Sequence, residues 1–141
     1  LLVNYSYPGK TITWEHRLWT NQGQEGRSAA VAFLGERGTL IVDRSGWKVY
    51  GQKDSFAAES GELLPAHLRN FIDCVRSREQ CRCDIETGHR STSATLLGNI
   101  AYKTKSYLEW DAKAERFTNN QAANKYLSYE YRAPYKLPSR V

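Results

Sequence analysis

The spacing of apolar residues changes once along this chain, and that change constrains the fold more than any single motif. In the first half, apolar and polar residues alternate with the period of a β-strand, as in "TITWEHRLW" at 11–19. From Pro65 onward, apolar residues recur every three or four positions, which is the spacing of an α-helix. Strand pairs followed by separate helices predict an α+β domain, with an open, mostly antiparallel sheet and helices packed on one face.

Turn residues divide the first half into strands. Residues 1–7 and 11–19 flank a Pro-Gly turn, and this arrangement predicts a hairpin. A second hairpin is predicted from Ala29–Leu34 and Thr39–Asp43, which flank "GERG", and "GWKVYGQ" predicts a further short strand. Residues 52–64 are polar and predict a loop.

Two helices are predicted in the second half. The first, in "PAHLRNFIDCVRSRE", has Pro65 at a favoured first helical position and an apolar stripe formed by Leu68, Phe71, Ile72 and Val75. The second, in "DIETGHRSTSATLLGNIAYK", has Asp84 as a good N-cap and Gly98 among many small residues. Small side chains allow a helix axis to come close to another element, so we expect tight packing along this helix.

The second helix carries His89 and Arg90 in its first turns, where the helix dipole disfavours positive charge. Glu86 lies four residues before Arg90, and such a pair stabilises a helix by only about 0.2–0.5 kcal/mol. Two interpretations remain open. The two cations belong to a surface salt bridge, or they face a cleft that carries negative charge.

The remaining elements are short. "SYLEWD" predicts a strand, and "NNQAANKYLS" predicts a short helix capped by Asn119 or Asn120. The ending "YEYRAPYKLPSRV" contains two prolines and three tyrosines, so we expect it to be extended and packed onto the body.

The predicted sheet leaves one face uncovered by helices. That face would carry Thr13, Glu15, Arg17 and Trp19, together with part of the hairpin at Ala29–Leu34 and Thr39–Asp43. Large aromatic residues on an open sheet are typical of an interface, and a two-fold interface uses the same surface twice. Glu15, Arg17 and Trp19 are therefore predicted interface residues of a homodimer. The competing interpretation is that this face is a solvated antiparallel sheet.

Length and charge exclude several classes of protein. The 141 residues suit one domain, 1–141, and no apolar run approaches the roughly 18 residues of a membrane helix. The net charge of +5 is spread along the chain and interrupted by acidic residues, and no nucleic-acid-binding signature occurs. The chain contains no methionine and begins on a strand-like run, so we expect it to be a piece of a longer protein.

Metal and catalytic motifs are also missing from the sequence. Cys74, Cys81 and Cys83 lack the Cys-x-x-Cys spacing of a zinc site, and an odd number suits free thiols in a reducing compartment. No Gly-x-Gly, Walker loop, Gly-x-Ser-x-Gly or His-Glu-x-x-His occurs, so no cofactor is expected on this chain. His16 either lines a polar pocket or forms a cross-strand hydrogen bond. The missing motifs predict a folded domain that accompanies another domain, and not a complete enzyme.

Several motifs together resemble a known family. They are "HLRNFIDCVRSR", "DIETGHRS", "LGNIA", "YPGKTITWEHRLW", "GTLIVDRSGWKVY" and "WDAKAERFTNNQAANKYLSYEYRAPYKL". The set covers nearly the whole chain and is similar to the C-terminal α/β domain of the glucose-fructose oxidoreductase/inositol dehydrogenase/MocA family, in its bacterial branch.

The resemblance implies a two-domain, NAD(P)-dependent oxidoreductase of sugars or polyols. The expectation of free thiols separately favours a cytoplasmic location. An N-terminal Rossmann domain would carry the cofactor and a lysine, while the C-terminal sheet face forms oligomers and its helical side borders the substrate cleft. His89, Arg90 and His16 are the predicted cleft residues. The family's Asp-x-x-x-His pair is not found, so no catalytic residue is assigned. The alternative is a standalone interaction or carbohydrate-binding module without catalytic activity.

Overall fold

A computed structural model describes residues 1–51, 55–57 and 63–138, with the backbone alone described at 55–57 and at Leu63. The chain divides into two compact units, Leu1–Cys81 and Arg82–Val141. The first contains most of the strands and one helix, and the second contains a longer helix with two very short strands. All strand pairs are antiparallel, and the predicted α+β class is confirmed.

The first unit begins with the predicted hairpin. Strands β1 (Leu2–Tyr7) and β2 (Lys10–Glu15) pair from end to end around Pro8-Gly9. Gly9 has a φ of 73°, and proline followed by a left-handed glycine is the signature of a type II turn.

The second strand is shorter than predicted. It ends at Glu15, so Arg17 and Trp19 lie beyond the strand and not on its face. The backbone of His16 pairs with Leu1, and the residues from Arg17 onward belong to no strand until β3 begins at Val31. Period-two alternation alone does not show at which residue a strand ends.

A four-stranded sheet follows, in the order β3 (Val31–Gly35), β4 (Gly38–Asp43), β5 (Gly46–Tyr50) and β6 (Ser55–Ala57). The second hairpin and the strand after it are confirmed, although β3 starts two residues later than Ala29. The loop predicted at 52–64 contains strand β6, so that prediction was wrong at 55–57. The edge of β5 offers backbone partners with which this short strand pairs. The rest of that predicted loop, at 52–54 and 58–62, lies outside the described residues.

Asp43 organises the turn between β4 and β5. Its Oδ1 accepts hydrogen bonds from the backbone N–H of Ser45 at 2.8 Å and from the Ser45 hydroxyl at 2.6 Å, and Arg27 Nη1 lies 2.6 Å away. The Ser45 hydroxyl and then the Arg27 guanidinium lower the pKa of the Asp43 carboxyl to about 2. The carboxylate therefore joins the turn to the loop that precedes β3.

Helix α1 spans Leu63–Ser77 and begins two residues before its predicted start. Pro65 sits in the first turn, where its missing N–H has no intrahelical partner to lose, so the helix tolerates it there. The amphipathic pattern is confirmed as a helix. The side chains of its apolar stripe are all exposed in the structure: Leu64, Leu68, Phe71, Ile72 and Val75.

Helix α2 spans Ile85–Thr104, and its predicted N-cap is confirmed. One Asp84 carboxylate oxygen accepts a hydrogen bond from the backbone N–H of Thr87 at 3.0 Å, and the other accepts from the Thr87 hydroxyl at 2.9 Å. Further along, hydroxyls such as that of Thr104 donate to carbonyls one turn earlier. Gly98 and Ile100 are buried, which fits the expected close packing of this helix.

The core of the second unit forms where α2 meets β7 (Trp110–Asp111), β8 (Arg116–Phe117) and a 3₁₀ turn at Ala123–Tyr126. Its buried members are Ile100, Phe117 and Ala123, with Leu97, Leu108 and Trp110 packed against them. The Trp110 and Phe117 rings meet edge to face, with centroids 5.2 Å apart.

Three predictions about this region are corrected. The strand expected in "SYLEWD" contains only Trp110–Asp111, because its partner β8 is equally short. The expected helix is a 3₁₀ turn that Ala122 precedes. Asn119 is not its cap, because its side chain binds the backbone N–H of Glu109 and the carbonyl of Tyr107. The Asn120 side chain accepts a hydrogen bond from the backbone N–H of Ala123 at 3.1 Å. Asn120 therefore caps the segment as predicted, but the segment is a 3₁₀ turn and not an α-helix.

The C-terminal segment at 128–138 contains no helix or strand, as expected, but its residues are exposed and do not pack onto the body. Its aromatic side chains contact one another and nearby cations instead. The Tyr129 and Tyr131 rings lie 4.6 Å apart, and Arg132 lies over the ring of Tyr135. Local ring contacts of this kind leave no sequence pattern that distinguishes them from packing onto a core.

Replacing Asp84 by Ala is expected to lower the free energy of unfolding by about 1 kcal/mol, because the N–H of Thr87 loses its acceptor. The matched control is Asp84→Asn, which keeps an acceptor oxygen and should retain most of the stability. Urea denaturation followed by circular dichroism measures both. Equal losses in the two variants would contradict the capping role.

Candidate functional site at the start of helix α2

His89 and Arg90 each meet a carboxylate. His89 Nε2 lies 2.6 Å from Glu115 Oε1, and Arg90 Nε lies 2.6 Å from Glu86 Oε1. The Arg90 pair is the ion pair that the helical spacing predicts, and it lies on the exposed side of α2. All four residues belong to the second unit, so the cluster is formed within one compact body. We call these four residues the α2 charge cluster.

The turn between β7 and β8 brings Glu115 to His89. Asp111 Oδ1 accepts hydrogen bonds from the backbone N–H groups of Lys113 and Ala114, both at 2.9 Å, and these bonds fix the turn and lower the pKa of Asp111. Glu115 then adopts a φ of 48°, in a left-handed region that costs a non-glycine residue about 1–2 kcal/mol. The strained position and the Asp111 bonds together direct the Glu115 side chain.

Sequence reasoning did not identify Glu115. The residue lies 26 positions after His89 and has no motif spacing to it. Its contact depends on the β7–β8 turn and on the packing of β8 against α2, neither of which can be read from local periodicity. The Asp-x-Lys-Ala sequence of the turn was the available signal, because an aspartate often accepts from backbone N–H groups two and three residues later.

The Glu115 contact raises the pKa of the His89 imidazole, first through the hydrogen bond and then through the negative charge, while the Arg90 charge opposes the shift. The cation is therefore the favoured form of His89 over a wider range of pH. His89 and Glu115 remain 47% and 56% exposed at their side chains, so a ligand can reach them.

The cluster still has unused hydrogen-bond donors. Among the described residues, the Nδ1 of His89 has no protein partner, and Arg90 uses only its Nε. Protonated imidazole and guanidinium nitrogens donate hydrogen bonds and do not accept them. The arrangement can therefore bind hydroxyl or other oxygen atoms of a ligand.

The third predicted cleft residue, His16, lies in the first unit. Its backbone forms the cross-strand pair with Leu1, with N···O distances of 2.8 and 2.9 Å, and the residue is exposed. His89 and Arg90 belong to the α2 charge cluster in the second unit. A cleft role for His16 stays a prediction.

Of the predicted interface residues, Glu15 lies at the end of β2, whereas Arg17 and Trp19 lie beyond it; an interface role for the three stays a prediction. Arg17 lies just beyond β2 and forms a two-pronged ion pair with Glu15, at 2.6 and 2.8 Å. Trp19 is exposed and follows the strand, so it contributes no aromatic surface to the sheet. A further exposed apolar surface lies on the four-stranded sheet, which contains the second hairpin of the predicted face.

Opposed residues in that sheet share one apolar face. The register pairs Phe33 with Leu40 and Leu40 with Val49, and it also pairs Val31 with Val42. Directly opposed residues point to the same side of an antiparallel sheet. Phe33 and Val31 are exposed on this side, and a shallow depression runs between Phe33, Leu40 and Val49. We call this surface the β3–β5 face.

Within 1–51, 55–57 and 63–138, no group of three or more His, Cys, Asp or Glu side chains is arranged to hold a metal ion. Neither of the two helices combines the length and the hydropathy that a membrane crossing requires. The three cysteines, all of them described, form no disulfide with one another.

The chain combines antiparallel strands with two helices, as an α+β protein does, and a comparison with known families shows which family it belongs to. The family described as "Oxidoreductase family, C-terminal alpha/beta domain" matches residues 55–137, which is more than half of the chain. The chain belongs to this family, that of glucose-fructose oxidoreductase, inositol dehydrogenase and MocA. No curated protein and no solved structure matches it.

The match covers helices α1 and α2 and the whole α2 charge cluster. Membership makes this chain an oxidoreductase C-terminal domain, and full-length members of the family carry an N-terminal Rossmann-type domain as its partner.

We expect the pKa of His89 to fall when Glu115 is replaced by Gln, because the glutamine keeps a hydrogen-bonding oxygen but loses the negative charge. A folded-state pKa that is raised stabilises the fold fully below the unfolded value, and this contribution is lost as pH rises through the folded value. Proton NMR of the His89 ring from pH 5 to pH 9 measures the shift.

The matched control is Glu86→Gln, which removes a carboxylate that has a smaller influence on His89. A His89 titration that is the same in the wild type and in Glu115→Gln would show that the ion pair is absent in solution.

Proposed function

We propose that this chain is the substrate-binding and oligomerisation domain of an NAD(P)-dependent oxidoreductase acting on a sugar or polyol, and that it is inactive alone. Family membership carries the proposal, since it makes the chain the C-terminal part of an oxidoreductase. The α2 charge cluster supplies the candidate substrate-binding residues, because it offers unused hydrogen-bond donors on an exposed surface of the matched region.

The nucleotide would be held outside this chain. A dinucleotide cradle requires a Gly-x-Gly turn between a strand and a helix, and this sequence contains none. The residues present therefore do not fit NAD(P), and the Rossmann-type partner domain is the expected site. NAD(P), when bound there, would accept or supply the hydride.

His89 and Arg90 would bind and orient the hydroxyl groups of the substrate. Glu115 holds the His89 ring through Nε2 and favours its protonated form, in which Nδ1–H is a further donor. Glu86 holds Arg90 through Nε, which leaves the two terminal nitrogens as donors. Hydrogen bonds from charged donors contribute about 1.5–3 kcal/mol each when they are well formed. Neither residue is assigned a proton-transfer role.

The β3–β5 face would form the oligomer contact. It is apolar and exposed at Phe33 and Val31, and its strands form a regular surface suited to pairing with a second copy. A stable interface buries roughly 1,000 Å² or more in total, and a face of several strands can supply that area.

In the full-length enzyme, Arg90→Gln and His89→Gln are each expected to raise the KM for the best sugar or polyol about tenfold or more, because each removes a charged donor. Lys103→Gln at the other end of α2 removes one positive charge far along the helix and serves as the control. Steady-state kinetics over a panel of sugars and polyols provides the measurement.

Unchanged KM values in both variants would argue against the cluster as a substrate site. The isolated 141-residue chain should show neither NAD(P) binding by calorimetry nor turnover. Tight nucleotide binding to this chain would overturn the assignment of the nucleotide to the partner domain.

For the oligomer, Phe33→Glu is expected to convert a dimer into a monomer, because it places a charge in the apolar contact. Leu34→Glu is the matched control, because Leu34 is the neighbouring residue on the opposite side of β3 and is 79% exposed. Light scattering at tens of micromolar distinguishes the two species. A chain that is monomeric before any substitution would contradict oligomerisation through this face.

A further inference from the structure

The chain folds back over the end of helix α1 immediately after the helix stops. Arg78 adopts a left-handed φ of 62°, and its N–H donates to the carbonyl of Cys74 at 2.8 Å. This turn brings the carbonyl of Gln80 within 3.6 Å of Cys74 Sγ, and the Asn70 amide approaches the same sulfur from the helix at 3.6 Å. A buried thiol is thus enclosed by its own helix and by the returning chain.

Cys81 directly follows Gln80, whose carbonyl contacts this thiol, so the two cysteines are neighbours across a turn of only six intervening residues. Burial, followed by the neighbouring Cys81 side chain, raises the pKa of the Cys74 thiol above its usual value. Cys74 is 8% exposed, whereas Cys81 is partly exposed and open to a reagent from solution.

We propose that Cys74 and Cys81 form a redox-active dithiol that closes to an intramolecular disulfide. The oxidant is a low-molecular-weight disulfide, of which glutathione disulfide is an example. This site lies outside the α2 charge cluster and does not depend on the proposed function. The sequence predicted three free thiols. The proposal keeps them free in the reduced protein but joins two of them on oxidation.

Because Cys81 is more exposed than Cys74, Cys81 reacts first with the small disulfide and Cys74 reacts second. The thiolate of Cys81 attacks the small disulfide, whose S–S bond breaks to leave one small thiolate and a mixed disulfide on Cys81. Cys74 then loses its proton to solvent, and its sulfur attacks the Cys81 sulfur and releases the second small thiol. Two protein thiols and one small disulfide become one protein disulfide and two small thiols. The buried Cys74, with its raised pKa, is the poorer first nucleophile.

Cys83 provides an internal comparison. It lies two residues after Cys81, is exposed and belongs to the second unit. Its exposure would favour reaction with small reagents, whereas the turn after α1 favours ring closure between Cys74 and Cys81. The disulfide would fasten the first part of the connection between α1 and α2 to the end of α1, and so fix the left-handed turn at Arg78.

The sequence makes the test direct, because trypsin separates all three cysteines. Cleavage after Arg69, Arg76, Arg78, Arg82 and Arg90 gives peptides 70–76, 79–82 and 83–90, each with one cysteine. The purified chain is equilibrated in glutathione buffers of stepped thiol-to-disulfide ratio, alkylated, digested without reductant and analysed by mass spectrometry. The expected product is the 70–76/79–82 cross-link, with peptide 83–90 carrying the alkyl group.

Matched substitutions keep the test decisive. Cys83→Ser should retain the cross-link and its midpoint ratio, whereas Cys81→Ser and Cys74→Ser should abolish it. Oxidation should raise the thermal midpoint of the wild type and of Cys83→Ser, and leave that of Cys81→Ser unchanged. If Cys74→Ser does not fold, Cys81→Ser and Cys83→Ser still separate the outcomes. A cross-link between 79–82 and 83–90, or glutathione that stays on Cys81 without ring closure, would overturn the proposal.

Discussion

The buried Phe117 fixes strand β8 against helix α2 in the second unit. The ring is 2% exposed, and both backbone groups of Phe117 are held by one side chain, since its N–H donates to Asn124 Oδ1 at 2.8 Å and its carbonyl accepts from Asn124 Nδ2 at 3.0 Å. The asparagine takes the place of a neighbouring strand beside a ladder only two residues long. Burial of the ring and pairing of the backbone fix β8 against α2.

Glu115 lies two residues before Phe117, so the same anchor determines where that carboxylate points. A left-handed glutamate is an unfavourable conformation, and it persists only where the surroundings determine it. On one side the Asp111 bonds fix the turn, and on the other side Phe117 fixes the strand. The ion pair with His89 is therefore a consequence of the core and not of an attraction between two mobile side chains.

The sequence predicted what depends on local pattern. The hairpin at Pro8-Gly9, the cap at Asp84 and the Glu86–Arg90 pair all follow from residues within a few positions of one another, and all three are confirmed. Features that depend on a distant partner were not predicted.

Two contacts show why distance matters. Glu115 reaches His89 only through the β7–β8 turn, and Cys81 reaches Cys74 only through a left-handed arginine that no propensity favours. Positions of this kind require the fold before the contact can be seen.

The charge balance of the α2 cluster bears on the kind of ligand that would suit it. Two cations at the start of a helix are opposed by the dipole, and two carboxylates offset them, so the cluster of four residues has no net charge when His89 is protonated. A bare pair of cations would attract phosphate or carboxylate ligands over a distance. A neutral cluster with unused donors lacks that attraction and favours a ligand recognised through hydroxyl oxygens. This balance supports a neutral sugar or polyol over an anionic substrate.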